Sequence, residues 1–171
     1  KEPTSNDAYP LEKMVSLPSS VADALQLATE AFPKKIIALP EAVRSAQAHA
    51  SGGANETWQI LLGLATVLHP LCFSDNPEKD GSITDTYKRM TGYDLSLRES
   101  KATNDVPAYV RARRRTYEGR IIDITPHVKG RSGKRGETLR VHFAIDEKTE
   151  RIVIGHCGAH LDTAGTKRKG F

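Results

Sequence analysis

Residues 139–146 alternate along their whole length. Leu139, Val141, Phe143 and Ile145 are apolar, and Arg140, His142, Ala144 and Asp146 stand between them. Successive strand side chains project to opposite faces, so this pattern predicts a β-strand with one buried face. Asp146-Glu147-Lys148-Thr149-Glu150 reads as a turn and Arg151-Ile152-Val153-Ile154-Gly155-His156 as the returning strand. A connection of four or five residues fits equally, which leaves the pairing register open.

Upstream the period changes from two to that of a helix. Ser19-Ser20 precedes Val21-Ala22-Asp23-Ala24-Leu25, an N-cap signal with Asp in the first turn. Val21, Leu25, Ala28 and Phe32 share one helical face before Pro33 ends the run. Ile36-Ile37 leads into a second helix that Pro40 starts and Ser51-Gly52-Gly53 stops. A third helix, roughly Glu56 to Leu68 and apolar nearly all round, is expected at the centre with Trp58 among its packed residues and Pro70 closing it. Ser82 caps a short helix over Ile83–Met90, with Tyr87 and Met90 inward, and Thr91 to Asp94 form a turn. Residues 1–18, with Pro3, Pro10 and Pro18, read as an extended lead-in, and 74–82 as a polar loop.

These signals predict an α+β protein with a helical subdomain over 1–105 and a small antiparallel β subdomain over 106–171. In the second part Thr116–Ile124 has strand-like residues, and Gly130–Gly136 reads as a flexible basic loop. Hydrophobic residues make up 38% of the chain and charged residues 27%, a folded composition rather than a disordered one. The two cysteines, Cys72 and Cys157, cannot build a disulfide framework, which points to a reducing cytoplasm. No run of 18 apolar residues offers a membrane span. The chain begins Lys1-Glu2-Pro3 without Met, so a piece cut from a longer bacterial protein is expected.

Charge divides the chain more sharply than composition does. Residues 1–110 hold 10 Lys and Arg against 14 Asp and Glu, a net −4, whereas residues 111–171 hold 15 against 7, a net +8. Arg111, Arg113, Arg114, Arg115, Arg131, Lys134 and Arg135 are the candidate nucleic-acid contacts, since cations gathered in this way bind phosphates without reading sequence. RNA is preferred to DNA as partner. The alternative is a non-catalytic protein-interaction domain whose basic half docks an acidic surface, with the helical subdomain as a further protein contact.

Arg140, His142, His156 and His160 are the candidate catalytic residues. Imidazole titrates near neutrality and can serve as acid or base, while guanidinium offsets charge that develops on phosphate. The expected chemistry is metal-independent RNA cleavage. His156-Cys157-Gly158-Ala159-His160 suggests zinc, but a structural site needs a second ligand pair and none has the spacing. No glycine-rich phosphate loop or dinucleotide fingerprint is present, so no cofactor is expected.

The hairpin Leu139–Asp146 and Arg151–His156 resembles the central hairpin of the RelE/ParE toxin superfamily over about thirty residues. There an arginine-bearing strand precedes a turn and an apolar strand. The resemblance implies a small antiparallel sheet packed on helices and, for the ribosome-associated branch, messenger RNA as substrate. Arg140 matches the strand arginine, and Lys167, Arg168 and Lys169 loosely match the basic end. The chain departs from the family in ending at Phe171 instead of tyrosine, in its long helical half and in the stretch Gly155–Leu161.

Overall fold

The computed structural model describes residues 17–49, 52–74, 81–131 and 137–162. The lead-in up to residue 16, Ser51, the centre of the 74–82 loop, Lys134, Arg135 and the basic tail at 167–169 lie outside them.

Helix α1 (Val21–Ala31) starts where the Ser20 hydroxyl accepts a hydrogen bond from the Asp23 N–H at 3.0 Å, filling one of the donors that a helix N-terminus leaves open. A short strand, β1 (Ile36–Ala38), then occupies the place read as a helix lead-in, and α2 (Pro40–Ala48) follows directly. The central helix is longer than the sequence suggests. α3 (Ala54–Gly63) passes through a π-helical turn, Leu64–Leu68, into α4 (His69–Phe73). Pro70 does not end it, because the wider turn absorbs the missing N–H and keeps Leu64, Ala65, Leu68 and Leu71 buried in register.

Ser82 caps α5 (Ile83–Thr91) through the Asp85 N–H at 3.1 Å, and Gly92 ends it at φ 76°. Tyr87 is fully buried. Met90, expected inward, is 45% exposed, since the buried row follows Ile83, Thr86 and Tyr87 and leaves position 90 at its margin. Trp58 is only partly buried. Asp94, expected in a turn, opens strand β2 (Asp94–Ser96); the short helix α6 (Lys101–Asn104) completes the first part, and another, α7 (Pro107–Arg111), opens the second.

A hairpin follows, β3 (Arg114–Tyr117) and β4 (Arg120–Asp123), over the stretch with strand-like residues. Glu118 and Gly119 both have positive φ, 48° and 71°, the geometry of a tight two-residue connection. Strands β5 (His127–Lys129), β6 (Arg140–Asp146) and β7 (Arg151–Gly158) follow. The main sheet runs β1-β7-β6-β5-β2, antiparallel except for β1, which lies parallel to β7. The β6–β7 turn takes four residues, with Asp146 opposite Arg151.

The α+β class stands. Strands from both parts share one sheet, because β1 and β2 of the helical half form its two edges. A single core likewise joins Leu25, Ile60, Leu61 and Leu64 to Val141, Phe143, Ile152, Ile154 and Cys157 across residue 105. Each of these buried side chains contributes about 1.5–3 kcal/mol relative to exposure. The other face of the sheet holds a smaller apolar cluster of Leu39, Tyr117, Ile122, Ile124, Ala144 and Val153 beneath the β3–β4 hairpin. β6 is therefore covered on both sides.

One irregularity sets the polarity of β7. His142 lies opposite His156 and Phe143 opposite Ile154, so Gly155 is an extra residue in the ladder. The extra residue reverses the alternation, sending Cys157 into the helical core and His156 to the other face. A Cβ at Gly155 would stand 2.6 Å from Ile124 Cγ2 and 3.2 Å from Arg115 Cγ. Gly155→Ala is expected to cost about 1–3 kcal/mol of unfolding free energy, measured by urea denaturation, and an unchanged midpoint would show that the bulge has room to spare.

Candidate functional site

Three histidines form a row across three strands. His127 pairs with His142 in the β5–β6 register, and His142 pairs with His156 in the β6–β7 register. The His127 and His142 rings stack with centroids 4.6 Å apart and planes at 28°, and the His142 and His156 rings meet edge-on at 5.8 Å and 68°. His142 is 2% exposed, whereas His127, His156 and His160 are partly buried.

Backbone carbonyls orient the rings. His142 Nδ1 lies 3.0 Å from the Ile124 oxygen, His127 Nδ1 2.9 Å from that of Thr125, and His156 Nε2 2.6 Å from that of Ala159. His160 Nδ1 contacts the Leu161 carbonyl. A carbonyl only accepts, so the facing nitrogen carries the proton and the other nitrogen of a neutral ring keeps its lone pair. The rings are held neutral. Burial lowers the pKa of all four, and for His142 burial together with the neighbouring His127 and His156 pulls it down to about 2. His142 thus stays unprotonated throughout the neutral range and serves to hold the 124–127 backbone against the sheet.

Guanidinium groups surround this row. Arg113 is 2% exposed; its Nε donates to Glu99 Oε1 at 2.9 Å, and Nη2 lies 2.9 Å from the same oxygen. Nη1 donates to the carbonyls of Tyr109 at 2.9 Å and Asp162 at 3.2 Å. Arg115 donates to the carbonyls of Gly155, Ala112 and Arg114 at 2.8–3.1 Å. Arg140 is 8% exposed and donates to the Leu139 carbonyl at 3.2 Å, with no ion-pair partner among the described residues. Burial lowers the pKa of Arg115 and Arg140, and Glu41 and Glu99 respectively oppose that shift.

The remaining basic residues disperse. Arg111 and Arg114 are exposed. Arg131 lies over the Tyr93 ring at 4.6 Å, and its backbone N–H donates to Glu56 Oε1 at 2.6 Å. Arg120 forms a two-pronged pair with Asp146 at 2.9 and 3.1 Å, which holds the Asp146 carboxyl down at about 2.

The strand alternation brings Arg140 and His142 to one face, and the bulge at Gly155 brings His156 to it, with His160 nearby. Sequence reasoning missed His127 and Glu99. His127 lies on a three-residue strand too short to show a period, and Glu99 meets Arg113 only through the fold. Among the described residues no three His, Cys, Asp or Glu side chains converge as metal ligands. Cys157 lies in the apolar core, where burial pushes its thiol up to about 12. No helix among the described residues is long and apolar enough to cross a membrane. Scans against protein-family models, curated proteins and solved structures find no match to this chain.

Two outcomes follow from this chemistry. An imidazole kept neutral by the fold takes up a proton only when the chain unfolds. Its stabilisation is therefore complete above the unfolded value of 6.5 and declines as the pH falls toward 2. His142 alone accounts for about 2 kcal/mol between pH 7 and pH 5. In His142→Gln the stability difference between those pH values should shrink by about that amount, and an undiminished slope in urea melts would contradict the assignment. Removing the carboxylate that faces a buried guanidinium strands the charge, so Glu99→Gln should cost about 3 kcal/mol. A loss below 1 kcal/mol by thermal or urea melts would show that Arg113 finds another partner.

Proposed function

We propose that this chain is a nucleic-acid-directed module, RNA before DNA, that holds a phosphate strand against the β5–β7 face. The observation that carries this reading is Arg140. It is a largely buried cation with no carboxylate paired to it among the described residues, set beside a row of neutral imidazoles and near Arg113 and Arg115. Burying an unpaired cation is costly, and an anionic ligand would offset that cost. Exposed Arg111 and Arg114 extend the positive surface beyond the face. A RelE-like ribonuclease activity is the more specific form of the reading. It requires a neutral imidazole to take the 2′-hydroxyl proton, and His127, His156 and His160 each combine partial solvent access with a committed N–H.

A second reading has an observation of its own. Glu99 and Glu56 of the acidic half already engage Arg113 and the Arg131 backbone, which suits a non-catalytic domain whose basic half docks acidic protein surfaces. Salt titration separates the two. Fluorescence anisotropy with a labelled single-stranded RNA should give an affinity that falls steeply with salt. Arg140→Ala should reduce the slope of log K against log salt by about 0.7, and Arg131→Ala should leave it nearly unchanged. Absence of binding at low salt would reject the nucleic-acid reading in favour of the second.

A further inference from the structure

Beside the histidine row lies a cleft of about 570 Å³ with Ile122, Ala144 and Ile145 among its walls and Glu99, Asn104 and Asp123 among its polar groups. Its size falls within the range of small-molecule sites. The two regions share a wall. The carbonyls of Ile124 and Thr125 hold His142 and His127, while Asp123, Thr125 and Pro126 of the same segment line the cleft. Glu99 belongs to both, binding Arg113 through Oε1.

The hydrogen bonds already made leave an open acceptor on each of Asp123, Asn104 and Glu99. Asp123 Oδ1 takes the Thr125 N–H at 2.7 Å, and no bond among the described residues occupies Oδ2. The Asn104 amide nitrogen donates to the Glu99 carbonyl at 3.4 Å, turning its oxygen outward from that bond. Both Arg113 contacts fall on Glu99 Oε1, so Oε2 is not engaged by them. Arg98, exposed to solvent, is a cation in the lining. The pocket therefore pairs apolar walls with several acceptors. A planar ring that presents adjacent N–H groups matches such a site, and among the nucleobases guanine does so, with N1–H and the N2 amino group side by side.

We infer that this cleft is a nucleobase pocket selective for guanine, resting on the nucleic-acid reading above. The strand supplies the spacing. Arg140 and Ala144 lie on the same face of β6 four residues apart, about 14 Å at the rise of a strand, which lets a base occupy the cleft while a neighbouring phosphate reaches Arg140. A lysine-rich peptide would also meet the carboxylates, but Arg140, which has no ion-pair partner among the described residues, repels it.

Four pentanucleotides of uridine that differ only in the central base test the inference on the full chain. The guanine oligomer should bind about tenfold tighter than the adenine oligomer. Asp123→Asn keeps the acceptor for the Thr125 N–H but replaces the second oxygen with a donor. It should abolish that preference while leaving the all-uridine affinity and its salt slope in place. Equal binding of the four oligomers overturns the pocket and leaves the nucleic-acid reading standing. If none binds, that reading fails, and NMR titration with guanosine monophosphate against adenosine monophosphate decides the pocket alone. Shifts at Ala144 and Ile145 with the guanine nucleotide support it, and their absence overturns it.

Discussion

β6 is enclosed on both faces, and much of the structure follows from that enclosure. On one side Val141 and Phe143 enter the helical core. On the other, Arg140 and His142 are 8% and 2% exposed beneath residues that include the 124–127 segment. Polar groups taken out of water need partners. Much of the chain between 97 and 127 is placed to supply them: Ile124 offers its carbonyl to His142, Thr125 to His127, and Glu99 its carboxylate to Arg113. This covering layer is held by hydrogen bonds and charge at one end and by the Tyr117, Ile122 and Ile124 cluster at the other.

The fate of the basic run follows from the same arrangement. Ten cations lie between residues 111 and 140, a density that reads as one positive surface. In the fold they divide by environment. Arg113 and Arg120 are neutralised by Glu99 and Asp146, Arg115 is occupied by backbone carbonyls, and Arg131 stacks on Tyr93. Arg140 bonds a single backbone carbonyl among the described residues, and Arg111 and Arg114 face solvent. Formal charge counts what a chain carries, whereas the charge available to a ligand is what remains after internal pairing. Among the described residues that remainder is smaller than the sum suggests, and Arg140 is the part of it that lies beside the histidine row.

The imidazoles carry a similar lesson. Three rings in contact have lost most of their water, and their low proton affinity expresses that burial first, with neighbouring imidazole and guanidinium groups adding to it. The acid–base reading of His142 from its strand position and residue type does not survive its burial. His127, His156 and His160 keep partial solvent access.

Local patterns in the sequence were sufficient for elements whose cause is local. The alternation at 139–146 and the apolar return at 151–154 specified the hairpin and placed Arg140 and His142 on one face, because strand side chains alternate wherever the strand lies. Ser20 and Ser82 marked helix starts, because a cap acts within three residues. Other features depended on residues distant in the chain. β1 and β2 are three residues each and exist as strands only against β7 and β5. The bulge at Gly155 that turns His156 away from the core, the alignment of His127 with His142 and the pairing of Glu99 with Arg113 all arise from contacts across many residues. Sequence by itself determined the α+β class, the hairpin and its polar face. Tertiary structure decided which of those polar residues are buried, paired or left available, because desolvation and charge pairing are set by neighbours that no local period encodes.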